Sequence, residues 1–383
     1  MVIVFWLAAG VVAFAYAGYP LLMAMKARWS ACPALYDTCT PTIDVVLVVH
    51  DAATLVEAKL RNLLDLDYPA DRLRINLVCD GCKDDTEAVA RALDLPQLRV
   101  FAYGQRRGKS ACIADVLPRL DAELVLFTDV RQRIDANAAA VLAATLADPE
   151  IGAASGELVL QADNGYGRGI DAYWRYEKLL RRLESASGSI IGATGALYAA
   201  RRTALVAPPA GIVLDDMWIP LAIAAAGHRV VFAPQALAYD RGASDSTSEE
   251  TRKRRTLAGN YQLLHRWPQL ALPGAHPLAL RLWGHKWLRL AVPWCLLVLL
   301  ASNLWLATGG DALYLVTLGL QLAAYLLALC ARAWPALATA WLPARLCAAF
   351  FSLNLSALLA LLDYLRNPRA HLWQTTRLEA TRR

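Results

Sequence analysis

The chain has 383 residues, 57% of them hydrophobic, and a positive mean hydropathy, which is too apolar for an ordinary soluble enzyme. A charged fraction of 19% is equally too high for a chain that is membrane throughout, so a soluble domain joined to membrane spans fits both facts. The net charge of +6 is modest and no basic module interleaved with aromatics stands out, which excludes a nucleic-acid partner from the expectations.

In chain order, Met1 to Met25 holds no charged residue, and Lys26 and Arg28 follow it. The segment lacks a basic start, and its apolar run outlasts a signal-peptide core. It reads as an uncleaved anchor. Basic residues on its C-terminal side place the following domain in the cytoplasm. From Ile43 onward, short β-branched runs alternate with amphipathic ones. Asp44 to His50 reads as a buried strand, and Leu55 to Leu66 as a helix with Thr54 as its N-cap. Leu73 to Cys79 is a second strand, and Asp84 to Leu93 a helix opened by acidic residues. Leu98 to Tyr103 and Leu124 to Thr128 are further strands, with a helix around Ser110 to Leu120 between them.

This β-α-β-α-β order predicts a mostly parallel sheet covered on both faces. Ligands of such sheets bind beyond the carboxyl ends of the strands. Four polar clusters fall there: His50-Asp51, Asp80-Gly81, Gln105 to Lys109, and Asp129 to Arg131. Neither a GxxxxGK[ST] phosphate loop nor a GxGxxG dinucleotide turn is present, because Arg106 to Ser110 lacks the upstream glycine. The eight cysteines are scattered and are expected to be reduced. Cys79 and Cys82 form a lone CxxC without a second pair, so zinc is not expected.

Toward the C-terminus, Ala291 to Gly310 and Ala312 to Ala331 are uncharged except at their margins, and each is near the roughly 20 residues of a spanning helix. Trp283 to Arg289 reads as an interfacial lead-in. Leu346 to Leu362 is shorter, carries Asn354, and has Arg345 and Asp363 at its edges. Three later spans would put the arginine-rich tail outside, against the positive-inside rule, which favours a re-entrant or interfacial Leu346 to Leu362. The expected organisation is an anchor at 1–25, a cytoplasmic domain at 40–270, a membrane region at 280–365 and a basic tail at 366–383.

Between Ile43 and Gln262 a series of landmarks occurs in order: Val45 to Ala52 with Glu57-Ala58-Lys59-Leu60, Asp65 to Pro69, Cys79-Asp80-Gly81, Arg106 to Ser110, Phe127-Thr128-Asp129, Gly192 to Tyr198, and Leu214-Asp215-Asp216. In that order they resemble glycosyltransferase family 2. The resemblance implies an α/β fold of the GT-A type, a Rossmann-like mixed and mostly parallel sheet between helices, here joined to transmembrane helices. It also implies a nucleotide-sugar donor, most commonly a UDP-sugar, and a lipid or glycan acceptor at the bilayer of a cell membrane.

The same resemblance assigns roles. Asp51 and Asp80 fall on the donor side, Asp80 as the aspartate that hydrogen-bonds the base or ribose; the alternative for Asp80 is a turn residue before Gly81. Relatives usually read Pro-x-Tyr-Asn-Glu where this chain reads Val48 to Ala52. Lys109 matches the basic residue near the donor diphosphate, or is a solvated lysine at a helix start. Asp129 matches the first aspartate of DxD, which helps hold Mg²⁺ or Mn²⁺ against the phosphates. The motif here reads Asp129-Val130-Arg131. Arg131 either points away, or binds phosphate oxygens itself in place of part of the metal charge. Asp216 matches the general base of inverting members, with a helix N-cap as its alternative role. Asp215 is read as its neighbour on the acceptor side, together with Gly195 in the Gly192 to Tyr198 run.

Processive members carry QxxRW, and the corresponding stretch here is Arg252 to Thr256, without the glutamine and tryptophan. Arg255 either closes over the donor diphosphate or belongs to a basic interfacial face. Three functions stay open on these residues: an inverting sugar transferase, a non-catalytic nucleotide-sugar-binding or assembly protein, and a processive polysaccharide synthase.

Overall fold

A computed structural model describes residues 1–161, 168–241 and 246–366. The chain forms two compact units. One comprises Ala31–Gln161 with Glu184–Ser248, and the other Met1–Ser30, Ala162–Leu183 and Glu249–Pro368. The basic tail expected at 366–383 lies outside the described residues beyond Arg366.

The first unit is built on an eight-stranded sheet: β1 (Ile43–Val49), β2 (Leu73–Asp80), β3 (Leu98–Tyr103), β4 (Leu124–Thr128), β5 (Arg133–Ile134), β6 (Ile151–Gln161), β7 (Leu197–Arg201) and β8 (Arg229–Arg241). Their order is β3-β2-β1-β4-β7-β6-β8-β5. The first four strands run parallel, β7 is antiparallel to β4 and β6, β8 is parallel to β6, and β5 is antiparallel to β8. The sheet is therefore mixed and mostly parallel. The alternating pattern correctly gives its parallel half, and the antiparallel strands lie beyond the segments read as strands in the sequence.

Every residue of β1 is buried, as expected of a strand covered on both faces. Val45, Leu47 and Val49 join one core cluster with Val56, Leu60 and Leu63 of the helix α1 (Ala53–Leu64), each such side chain contributing about 1.5–3 kcal/mol by leaving water. The buried Asp44 in the same strand is satisfied locally. Its Oδ1 accepts from Asn76 Nδ2 at 3.0 Å, and its Oδ2 accepts from the N–H groups of Asp121 and Ala122 at 3.1 and 3.0 Å.

The start of α1 differs from expectation. Its N-cap is Ala52, not Thr54, and no side chain of its own caps it. The orphan N–H groups are met from the next crossover instead: Ala52 N donates to Thr86 Oγ1 at 2.7 Å and Ala53 N to Asp84 Oδ2 at 2.9 Å. The remaining helices of this unit are α2 (Thr86–Ala92), α3 (Lys109–Val116), α4 (Ala138–Thr145) and α5 (Asp215–Ala225).

In the second unit, four helices are long and apolar enough to cross a membrane: Val2–Trp29, Ala279–Ala307, Ala312–Ala333 and Leu342–Arg366, of 28, 29, 22 and 25 residues. The last is one continuous helix of 25 residues that includes Leu346 to Leu362 and reaches about 37 Å, long enough to span. Asn354 within it is accommodated by donating to the Phe350 carbonyl at 2.8 Å. Trp283 to Arg289 is continuous with the first of the later helices. A π-turn at Trp283–Trp287 continues into the helix, and His285 is buried there against Glu177 of the helix Arg168–Ala186, Nε2 to Oε2 at 3.0 Å. Arg289 also pairs with Glu177. Arg254, on the helix Ser246–Arg266, holds Asp363 through two bonds of 2.9 and 2.7 Å.

Candidate active site

The register of the parallel strands brings their carboxyl ends level: Val49 faces Cys79, Asp80 faces Tyr103, and Val46 faces Phe127. The four polar clusters therefore share one edge of the sheet. β7 and α5 bring Gly195 and the Asp215-Asp216 pair to the same edge.

Asp80 is fully buried, and its carboxylate accepts from Arg107 N at 2.7 Å and Gly108 N at 2.9 Å. Its position ties down the loop that delivers Lys109. Gly81, at φ +61°, lets that loop lie against the strand end, since a Cβ there would sit 2.4 Å from the Arg106 nitrogen. Arg107 secures the loop from its other side, with its guanidinium 4.0 Å from the Tyr103 ring centroid and 2.7 Å from Asp115.

Lys109, delivered by this loop, donates to Asp129 Oδ1 at 2.7 Å and lies 3.4 Å from Asp215 Oδ2. Burial opposes its charge, but Asp129 and Asp215 outweigh burial and raise its pKa. Asp216 Oδ2 accepts from Gly195 N at 3.2 Å. A methyl group at Gly195 would lie 3.3 Å from Asp216 Oδ2, 3.5 Å from Asp129 Oδ2 and 3.7 Å from Lys109 Nζ. Asp129, Asp215, Asp216, Lys109 and Gly195 thus form one cluster from four separate stretches of chain.

The two adjacent aspartates differ. Asp215 is 5% exposed, and burial raises its carboxyl pKa; Lys109 pulls it back and Asp129 pushes it further up. Asp216 is only half-buried and opens toward solvent. Asp215 Oδ2 is buried, with the Lys109 ammonium 3.4 Å away as its ion-pair partner. Three carboxylates gathered around one ammonium fit an oxygen-ligated divalent cation.

Arg131 does not join this cluster. Its guanidinium pairs with the buried Asp240 of β8 at 2.5 Å, and Gln132 Nε2 donates to the same oxygen at 2.9 Å. Of its two readings, the geometry fits the one in which it points away. Asp51 stands at the end of β1 with φ +48°, its Oδ1 accepting from Lys83 N at 2.7 Å. It meets Asp80 through His50, whose Nδ1 donates to the Asp80 carbonyl at 2.7 Å. Arg255 is exposed on the helix Ser246–Arg266, in the other unit.

Two side chains without a sequence-assigned role support the site from behind. Lys59 is 3% exposed and donates to Thr128 Oγ1 at 2.8 Å and the Gln132 carbonyl at 2.6 Å, spanning the loop that holds Asp129. Burial lowers its pKa to about 7, with Asp129 opposing. Tyr198 stacks on Phe127 with centroids 4.6 Å apart, and burial, together with Asp215, Asp216 and Asp129, raises its pKa. Both occur inside landmark runs, but nothing in their spacing shows which way they point.

A family model described as "Glycosyltransferase like family 2" matches residues 41–268. An N-acetylglucosaminyltransferase of Rhizobium meliloti (strain 1021) is 27% identical over 173 residues, covering 43% of this chain and 40% of that protein. One from Rhizobium leguminosarum bv. viciae is 26% identical over 217 residues, covering 52% and 50%. The chain thus spans half or less of the length of these curated relatives. A mannosyltransferase of Pyrobaculum calidifontis, solved with GDP-mannose and Mn²⁺, superposes with a TM-score of 0.71 at 23% identity, over 94% of this chain and 99% of that one, and so shares its fold. With the matched region covering well over half of its length, this chain belongs to glycosyltransferase-like family 2.

Proposed function

We propose that this chain transfers a sugar, with inversion, from a nucleotide-sugar donor to a membrane-proximal or lipid-linked acceptor. The observation that carries the reading is the single cluster of Asp129, Asp215, Asp216, Lys109 and Gly195 at the carboxyl edge of the sheet. Asp216, the half-buried carboxylate, takes the proton of the acceptor hydroxyl as its oxygen attacks the anomeric carbon. The Gly195 N–H fixes the orientation of that carboxylate, and the missing side chain leaves room for the acceptor. Lys109 supplies positive charge to the departing diphosphate. Asp51 and Asp80 line the donor end, Asp80 by shaping the loop.

A divalent cation, Mg²⁺ or Mn²⁺, would be held by Asp129 with Asp215 and would neutralise charge on the diphosphate. The Pyrobaculum mannosyltransferase carries Mn²⁺ with GDP-mannose, which supports a metal and a nucleotide-sugar without identifying either here. The Rhizobium relatives, N-acetylglucosaminyltransferases, support an N-acetylglucosamine donor.

The four long apolar helices support a multi-pass protein of the cell membrane. Lys26 and Arg28 at the C-terminal end of the first apolar helix support a cytoplasmic catalytic domain. The test is release of free nucleoside diphosphate from a donor panel with membrane lipids present, for the native chain and Asp216→Asn. Turnover by the native chain alone supports transfer. Turnover by neither protein would return the chain to a binding or assembly role.

A further inference from the structure

A second group of metal-binding atoms converges on the donor end of the same sheet edge, apart from the all-oxygen cluster at Asp129. It consists of His50 and Asp51, after β1, and Cys82, after β2. One ligand atom from each of the three lies within 4.8 Å of the others.

The histidine is oriented as a ligand. Its Nδ1 lies 2.7 Å from the Asp80 carbonyl, which can only accept, so Nδ1 donates and Nε2 is turned toward Asp51. A ring held by an Nδ1–H to a main-chain carbonyl is the arrangement that orients metal-binding histidines. Nε2 lies 3.4 Å from Asp51 Oδ2. Asp51 reaches this position on a backbone with φ +48°, a conformation that aspartate tolerates better than most residues. Its other oxygen is fixed by the Lys83 N–H at 2.7 Å.

The Cys82 thiol donates to the Val49 carbonyl at 3.7 Å, and a bound cation would take the place of that hydrogen on the sulfur. The CxxC, read alone, lacked partners. The fold supplies them from β1, a strand distant in sequence but adjacent in the sheet.

We propose that His50 Nε2, the Asp51 carboxylate and the Cys82 sulfur bind a divalent cation of the zinc class, at a site separate from the Asp129 cluster. Imidazole, thiolate and carboxylate together select zinc over magnesium or manganese, whereas the carboxylates at Asp129 select the harder ions. Bond lengths of about 2.0 Å to nitrogen and oxygen and about 2.3 Å to sulfur require the three atoms to draw in by roughly an ångström. The short loops after β1 and β2 permit this.

The experiment uses the full chain in detergent, reduced and stripped of metal, titrated with Co²⁺ as a spectroscopic substitute for zinc. The native chain gives a thiolate-to-cobalt band in the near ultraviolet, saturating at one ion per chain and displaced by Zn²⁺. Cys82→Ser removes the band. His50→Gln weakens cobalt binding by about tenfold or more, the scale of loss seen for groups supporting a metal site. Asp129→Ala leaves the band in place. Melting curves of the stripped variants confirm that each is folded. A native chain without the band, or a band that survives in Cys82→Ser, overturns the proposal. Because the readout is metal binding, it stands or falls independently of sugar transfer.

Discussion

The Arg131 guanidinium meets the carboxylate of Asp240 at 2.5 Å, bridging the loop after β4 to β8. This pairing explains how a DxD-like position tolerates an arginine beside Asp129, because the positive charge is spent on a buried partner. Arg131→Ala leaves Asp240, 1% exposed, without its guanidinium. The expected cost is about 1–3 kcal/mol of stability, read as a lower thermal midpoint. The Mn²⁺ concentration giving half-maximal stabilisation stays the same. A shift in that concentration would show Arg131 acting on the cation.

Asp216→Asn is expected to lower kcat by about 10²–10⁴-fold, the range for removing a general base. An amide oxygen can still accept from Gly195 N, so the loop geometry and the donor KM are retained. Steady-state kinetics with a responsive donor separate the two quantities. An equal loss in donor affinity would argue that Asp216 organises the donor instead.

Much of the fold and the site was legible in sequence, for definite reasons. Short β-branched runs and helical spacing located β1 to β4 and the polar clusters after them, because each strand is locally encoded. The landmark order located Asp129, Asp215, Asp216 and Lys109, and the structure gathers them. Partners chosen by tertiary contact were not legible: Asp84 and Thr86 in place of Thr54 at the start of α1, Asp240 for Arg131, and Thr128 for Lys59. Each of these links residues about 30 to 110 positions apart, where no local pattern carries the information. The Leu342–Arg366 helix exceeded its apolar run because Pro343 to Arg345 begin it and Asp363 to Arg366 continue it past the run.

Gly195→Ala tests the space among the carboxylates. The new methyl would sit 3.3 Å from Asp216 Oδ2, close enough to press it aside by a few tenths of an ångström. The variant is expected to fold with a near-native thermal midpoint and to lose about tenfold or more in kcat, since a misplacement of this kind is costly in a preorganised site. Native activity with this extra methyl would show that the acceptor passes elsewhere.

Lys59 gives a signed pH effect. Its folded pKa is lowered to about 7 by burial, against an ordinary value of 10.5. Between these values the unfolded chain binds the extra proton, so stability rises with pH across the window and is independent of this group below it. The slope reaches at most about 1.4 kcal/mol per pH unit. Lys59→Met lacks this component. The thermal midpoint of the native chain, relative to that of the variant, is therefore expected to rise from pH 7 to pH 10. A constant difference would show that the ammonium is not held at this cost.

Asp215 carries the opposite sign and connects stability to metal binding. Burial raises its folded pKa, so its favourable contribution is complete below the ordinary carboxylate range and is lost as pH rises through the folded value. Above the ordinary carboxylate range this burial is therefore a cost that Asn would not incur. In the presence of a chelator, Asp215→Asn is expected to melt above the native chain at pH 8, with the advantage shrinking as the pH falls toward 4. Addition of Mn²⁺ reverses the order, because the native chain gains stability by mass action while the variant has lost a ligand. A variant that melts below the native chain under chelation, or gains as much from Mn²⁺, would show that the buried Asp215 carboxylate is not kept for a cation.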